Sequence, residues 1–187
     1  ALAQGKKLRI GVEGAYPPFS EVDAKGELKG FEIDLARAWC AQMKRECELV
    51  KTDFDGLIPA LQARKIDAIV ASMSITDERK QTVSFSDPYY TTNQAIVGYA
   101  DSAAASATTV AELQGLKFGV QSGTTSLEFL NTVVMPTNEP YVYDDNAAAK
   151  AALEAKQIDA IVVDLPTAFY ISAVEIEGTK VIGQFPA

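Results

Sequence analysis

At 187 residues, 48% of them hydrophobic, the chain is long enough to bury a core and suits one domain or two small ones. A net charge of −8, with 17 dispersed Lys and Arg, argues against nucleic acid or an anionic lipid surface as partner, and no apolar run approaches the ~18 residues a membrane span needs. No histidine occurs, which excludes Ser–His–Asp triads, His-ligated zinc and His general bases, so any catalysis would rest on carboxylates, Lys, Tyr or Ser.

Ala1-Leu2-Ala3 ahead of Gln4 has the small-x-small form left by a removed leader. Leu8–Val12 then predicts a strand, and Ala15–Glu21 a loop stiffened by Pro17 and Pro18. The amphipathic run Phe31–Met43 predicts a helix entered after Gly30. Cys47–Lys51 follows as a strand, Asp55–Ala63 as a helix capped by Asp53 or Asp55, and Ile66–Ser72 as the next strand. Thr76 reads as the N-cap of a short helix, Asp77–Gln81. A turn at Ser84–Pro88 leads into the extended run Tyr89–Tyr99, which leaves the first lobe. Asp101–Thr109 is a small-residue surface segment introducing a short helix at Val110–Leu113. Beyond it the pattern gives strand Leu116–Gln121, helix Thr124–Leu130, strand Tyr141–Tyr143, helix Asn146–Lys156, strand Ile158–Asp164, helix Pro166–Ser172 and a final strand Lys180–Ile182. Strands alternating with helices indicate mainly parallel sheets flanked by helices.

Cys40 and Cys47 are the only cysteines. Seven residues of continuous helix would hold them about 10 Å apart, whereas a disulfide needs Cα atoms within roughly 7 Å, so the helix must stop first. Lys44-Arg45-Glu46 offers the turn. A disulfide is favoured over two free thiols, and it would place the chain in an oxidising compartment.

The chain also says one thing twice. Residues 58–72, IPALQARKIDAIVAS, align without a gap to 150–164, KAALEAKQIDAIVVD, with eight identities in fifteen positions. A second echo pairs Leu8–Gly14 (LRIGVEG) with Leu116–Ser122 (LKFGVQS). Two strand–helix–strand copies predict two similar α/β lobes, 1–92 and 93–187, whose strand ends can face each other across a cleft, the default place for a ligand. Candidate chemistry gathers at those strand ends. Arg79 lies in the first turn of its short helix, an odd place for a cation unless it meets an anion, although a solvated surface arginine is the bland alternative. Gln121-Ser122-Gly123-Thr124-Thr125 runs from strand to helix start as a possible anion site without the lysine of a phosphate loop. Ser72 aligns with Asp164, and Glu13 with Gln121, which puts a hydroxyl and carboxylates at equivalent termini. A carboxylate clamp at Arg79, an ammonium partner at Asp164 and a polar or cationic partner at Glu13 together describe an amino-acid site, against the reading of the acids as plain helix caps.

The segments VEGAYPPFSE (12–21), GFEIDLARA (30–38), DFDGLIPALQARKIDAI (53–69), SITDERKQTVSFSDPYY (74–90), GVQSGTT (119–125) and DAIVVDLPTA (159–168) resemble, in collinear order, the periplasmic polar and basic amino-acid-binding proteins of bacterial ABC importers, extracellular solute-binding protein family 3. The resemblance implies a type II periplasmic-binding-protein fold: two α/β lobes that close by a hinge near Tyr89–Gln94 on a free L-amino acid and then dock on a membrane permease. It implies that Arg79 holds the ligand α-carboxylate with Ser74 and Thr125, that Asp164 with the backbone around Ser72 holds the α-ammonium, and that Tyr16 and Phe54 flank the side chain. A cysteine pair at this helix end recurs in the basic-amino-acid and opine binders, as does an acid where Glu13 stands, which favours Arg, Lys or ornithine. Ala71, where basic binders often carry serine, and VVDLPTA, shared with glutamine binders, keep glutamine or a broad polar preference open. A cyclohexadienyl-dehydratase-like enzyme of the same fold is the other alternative. The expected protein is a periplasmic monomer without cofactor or metal. Family members continue for several tens of residues past Gly183–Ala187 and return to the first lobe. A chain ending here would leave that lobe a strand short, with a sheet edge open to self-association.

Overall fold

The computed structural model describes residues 5–185; the leader remnant read at Ala1–Ala3 lies outside them. The chain divides into two compact units, Ala1–Ser86 and Asp87–Ala187. The boundary read at 92/93 falls in the stretch between that division and the first strand of the second unit.

The first unit is built on β1 (Leu8–Val12), which pairs in parallel with β5 (Cys47–Lys51) on one side and with β6 (Ala68–Ile69) on the other. Between β1 and β5 lie three very short strands, β2 (Ala15–Tyr16), β3 (Ser20–Val22) and β4 (Leu28–Lys29), which form a small antiparallel sheet where the sequence reads as loop. Two- and three-residue strands are below what alternation can reveal. This sheet positions α1 (Phe31–Gln42): its N-cap is Gly30, which offers no capping side chain, and the Phe31 and Glu32 amides donate instead to the Pro18 and Phe19 carbonyls. Ile33, Ala36 and Cys40 of α1 then pack on Ile10, Val12 and Val70. The opposite face of β1 carries Gly11, and a second cluster of Phe54, Leu57, Ile66 and Ala71 builds the other layer. Asp53 caps no helix with its side chain: the expected helix opens with a 3-10 turn, Phe54–Gly56, before α2 (Leu57–Gln62). The unit's last helix is α3 (Asp77–Lys80).

The helix α1 ends with Lys44 in the left-handed region (φ 53), its amide on the Ala41 carbonyl and that of Arg45 on Cys40. This paired closure turns the chain back on itself. It brings the Cys40 and Cys47 Cα atoms to 6.1 Å, and the two cysteines form the disulfide.

The second unit holds a five-stranded sheet in the order β11-β7-β10-β8-β9, with β7 Gln94–Tyr99, β8 Phe118–Gln121, β9 Tyr141–Tyr143, β10 Ala160–Asp164 and β11 Thr179–Phe185. β8 runs parallel to β9 and β10, whereas β7 is antiparallel to both β10 and β11. Its helices are α4 (Ala103–Ser106), α5 (Val110–Gln114), α6 (Thr125–Phe129), α7 (Asn146–Glu154) and α8 (Leu165–Tyr170); α6 and α8 each continue as a π-helical turn. The small-residue segment before α5 thus contains a helix of its own, seated by Ala104, which is 1% exposed beneath Ile96 and Phe118.

The repeat is realised atom for atom. In the first unit the Asp67 amide donates to the Arg9 carbonyl (2.8 Å) and the Arg9 amide to the Asp67 carboxylate (2.9 Å); in the second, Asp159 and Lys117 exchange the same two bonds at 2.8 and 2.7 Å. Arg64 (φ 57) and Lys156 (φ 56) close α2 and α7 through matching amide bonds, Arg64 to Leu61 and Lys156 to Leu153. Gly11 and Gly119 occupy matching strand positions where a Cβ would strike the Cδ1 of Ile66 and Ile158, respectively. At Asp67 the Arg9 guanidinium, with the Arg9 amide, pulls the carboxyl down to about 2. Among the described residues no helix is long and apolar enough to cross a membrane, and no group of three or more metal-binding side chains gathers.

Candidate functional site

In the first unit the chain leaves β1 at Glu13, whose side chain is 4% exposed, and runs into Tyr16, stacked on Phe19 with ring centroids 6.1 Å apart. Past β6, Ser72 turns into the left-handed region (φ 51), and its amide donates to the Glu32 carboxylate at 2.6 Å. Glu32 is 1% exposed. That acid was not singled out from the sequence, yet its place was legible. Positions 32, 36 and 40 repeat at four-residue spacing on the buried face of α1, so the carboxylate had to point inward. Ser72 Oγ itself is buried and makes no hydrogen bond. A buried hydroxyl left so costs free energy unless something else satisfies it.

Thr76 caps α3 as predicted, its hydroxyl accepting the Arg79 amide at 3.1 Å. Arg79 is no solvated surface arginine. Its Nη1 donates to the Ser74 carbonyl at 2.9 Å, and its Cζ lies 5.6 Å from the centroid of the Phe54 ring. Its neighbour Lys80 takes the bland role, exposed and paired with Asp77 at 3.4 Å. Phe54 therefore carries the guanidinium on its ring, and Ser74 meets it through the backbone. The first unit thus brings Phe54, Ser74 and Arg79 together, with a planar five-donor fork held from two sides.

In the second unit the organising residue is Gln94, which sequence reasoning had treated as part of a crossover. β7 pairs Gln94 directly with Asp164 of β10. The Gln94 Nε2 donates to Asp164 Oδ1 at 3.3 Å and to Thr125 Oγ1 at 3.3 Å, while Gln94 Oε1 accepts from Ser126 Oγ at 2.6 Å. Asp164 occupies the N-cap position of α8, with the extended backbone that a cap requires, yet makes no capping hydrogen bond. The plain-cap reading of this acid is therefore not realised: the carboxylate turns to Gln94 instead. In the loop 121–125, Thr124 caps α6 through the Leu127 amide (3.2 Å), the Ser122 amide donates to the Tyr143 carbonyl (2.8 Å), and Thr125 shares the Gln94 amide with Asp164. Gln121 is buried at 5%, as its repeat counterpart Glu13 is at 4%. The first unit thus holds the Arg79 guanidinium under restraint and buries the Glu13 and Glu32 carboxylates, and the second holds the Asp164 carboxylate under restraint.

A fold of two α/β units, each with a restrained polar cluster next to its strand ends, defines a class of ligand-binding proteins rather than one member. Residues 8–164 match the profile of bacterial extracellular solute-binding proteins, family 3, and the chain belongs to that family. It is 43% identical over 163 residues to the L-arginine-binding protein of Pseudomonas aeruginosa, a match covering 87% of this chain and 62% of that protein. The chain spans about three fifths of the length of the curated relatives it matches, between 60% and 63%. Among solved structures it superposes on an ancestral arginine-binding protein bound to glutamine with a TM-score of 0.88 at 38% identity, covering 97% of this chain and 80% of that one. An ancestral arginine-binding protein bound to arginine gives 0.87 at 38% identity. The ancestral amino acid-binding protein AncCDT-1, a precursor of cyclohexadienyl dehydratase, gives a TM-score of 0.86 at 36% identity over 96% of this chain and 79% of that one.

Proposed function

We propose that this chain is the substrate-binding component of an amino-acid ABC importer, taking a free L-amino acid with a cationic side chain, arginine, lysine or ornithine, by hinge closure. The observation that carries this reading is Asp164, withheld from its own helix and tied to Thr125 through Gln94. Under it, Asp164 with the backbone around Ser72 takes the α-ammonium, and Arg79 takes the α-carboxylate with Ser74 and Thr125. Glu13, Tyr16 and Phe54 receive the side chain, the buried carboxylate selecting a cation. The Cys40–Cys47 disulfide supports an extracytoplasmic, periplasmic location, and the permease of the importer is the second partner. The reading needs no cofactor and makes the protein a monomeric binder, not an enzyme.

A broader preference that includes glutamine has one specific observation in its favour, the similarity to an ancestral arginine-binding protein solved with glutamine bound. Calorimetric titration against the twenty amino acids, ornithine and citrulline separates the two. Binding of Arg, Lys or ornithine with glutamine at least tenfold weaker is the expected result, and equal affinities would replace the first reading by the second. Loss of water from a prephenate- or arogenate-like substrate, followed by mass spectrometry, would overturn both in favour of a dehydratase.

A further inference from the structure

We propose that Glu32 is a positioning residue for the ammonium end of the ligand, acting through Ser72, an inference that rests on the amino-acid-binding reading above. Glu32 is 1% exposed on the buried face of α1, beside Ile33, Ala36 and Cys40. Burying a carboxylate costs free energy unless it is hydrogen-bonded, so its placement asks for a bond of some consequence. The Ser72 amide, 40 residues further on, donates to Glu32 Oε1 at 2.6 Å, a short bond of the charge-assisted kind. Glu32 is anchored in turn: its own amide donates to the Phe19 carbonyl at 2.9 Å and that of Phe31 to Pro18 at 3.1 Å.

The effect of this bond falls on Ser72. The residue stands in the left-handed region (φ 51), a conformation unfavourable for a side chain with a Cβ, which persists where the surroundings hold it. The bond to Glu32 supplies that hold. It also fixes the direction of the Ser72 N–H. An ammonium carries donors and no acceptor, so an amide N–H facing it would set donor against donor. By drawing the amide back onto α1, Glu32 removes that donor from the turn after β6, the backbone assigned above to the ammonium. The second unit uses the same helix position in a related way. Ser126, like Glu32, is the second residue of the first helix after its lobe's echoed strand; it is 6% exposed, and its hydroxyl donates to Gln94 Oε1, the residue paired with Asp164 across β7 and β10. In each copy a buried polar side chain at this position braces the strand end that carries Ser72 or Asp164.

The test is calorimetric titration of the protein and its variants with L-arginine, agmatine, which keeps the ammonium but lacks the carboxylate, and des-amino-arginine, which keeps the carboxylate but lacks the ammonium; weak ligands are read by competition against arginine. E32A should lose about tenfold in affinity for arginine and agmatine, the scale of a displaced hydrogen bond to a charged group, and much less for des-amino-arginine. A merely structural role would weaken all three alike. E32D draws the carboxylate back by one methylene while keeping its charge; it should show the same selective loss, and it serves if E32A does not fold. E32Q keeps an accepting oxygen within reach of the Ser72 amide and should restore the preference for arginine over des-amino-arginine. Unchanged arginine affinity in E32A and E32D, an equal loss for all three ligands, or an E32Q as impaired as E32D would overturn the inference while leaving the amino-acid reading intact. A wild-type protein that binds no amino acid would overturn both.

Discussion

Replacing Cys40 and Cys47 together by alanine tests how the first unit is held. The bridge closes a loop of eight residues, Cys40 to Cys47, and in the chain-entropy account a loop of that size restricts the unfolded state by about 2.5 kcal/mol at 25 °C. Alanine is the right replacement because Cys40 is 6% exposed in the cluster with Ile33 and Ala36, where a serine hydroxyl would add a desolvation cost of its own. Trp39, the chain's single tryptophan, packs against that same cluster one residue from Cys40, so its fluorescence in urea reports the first unit. With m of about 1–1.5 kcal/mol/M for a unit of this size, the midpoint should fall by about 2 M, and reduction of the wild type should reproduce most of that fall. A midpoint that moves by less than about 0.5 M in both experiments would refute the argument, because the turn at Lys44 would then suffice to hold the helix end without the bridge. A reduced wild type that keeps its midpoint while the double variant loses it would assign the effect to lost packing instead.

Three further outcomes follow from particular contacts. Gly119→Ala should cost about 1–3 kcal/mol by overpacking against Ile158, and adding Ile158→Val, itself costing about 0.5–1.5 kcal/mol, should recover part of that loss; strict additivity in a thermal-unfolding cycle would refute the contact. Asp67, held down to about 2 by Arg9, has a folded pKa below its unfolded value, so its stabilisation is present in full above about pH 4 and fades as the pH falls toward 2; an acid titration by circular dichroism should show that part of the pH dependence missing in Asp67→Asn, and an identical curve would refute it. Glu13→Gln should weaken arginine by about tenfold or more while sparing glutamine, and an equal effect on both in calorimetry would remove the buried carboxylate from the selection of side chain.

Much of this was legible without coordinates, for reasons that differ by residue. The repeat was visible because its scaffold is chemistry-specific: an Asp that must both donate and accept against the neighbouring strand, and a glycine that must admit an isoleucine, tolerate few substitutes. Thr76 announced a helix start because a side-chain oxygen three residues before the amide it caps is a local signal, one that Thr109 also carried and that was not read there. Gln94 gave no such signal. Its partners lie 31 and 70 residues away, and they meet it only because β7 enters the sheet antiparallel beside β10, a register set by topology rather than by any neighbouring residue. The β2–β3–β4 sheet was hidden for a third reason, strands too short for alternation to show.

The two copies agree for as long as they build the sheet and part where the strand ends. Through Asp67 and Asp159 the hydrogen bonds match to within 0.2 Å, and the closing turns match at Arg64 and Lys156. Five residues later Ser72 bends into the left-handed region and gives its amide to the buried Glu32, while Asp164 stays extended (φ −64, ψ 146) and leads into α8. Under the proposed reading the Asp164 carboxylate of the second copy takes the α-ammonium, a role that a neutral serine such as Ser72, its counterpart in the first copy, does not fill. Restoring the symmetry therefore carries a definite expectation: Asp164→Ser, which leaves the scaffold bonds of Asp159 and Lys156 untouched, should unfold at nearly the wild-type temperature yet lose arginine binding by about a hundredfold or more, as expected for removal of a buried charge partner. Retained affinity in that variant would mean that the ammonium is held elsewhere and that the divergence of the two copies has another cause.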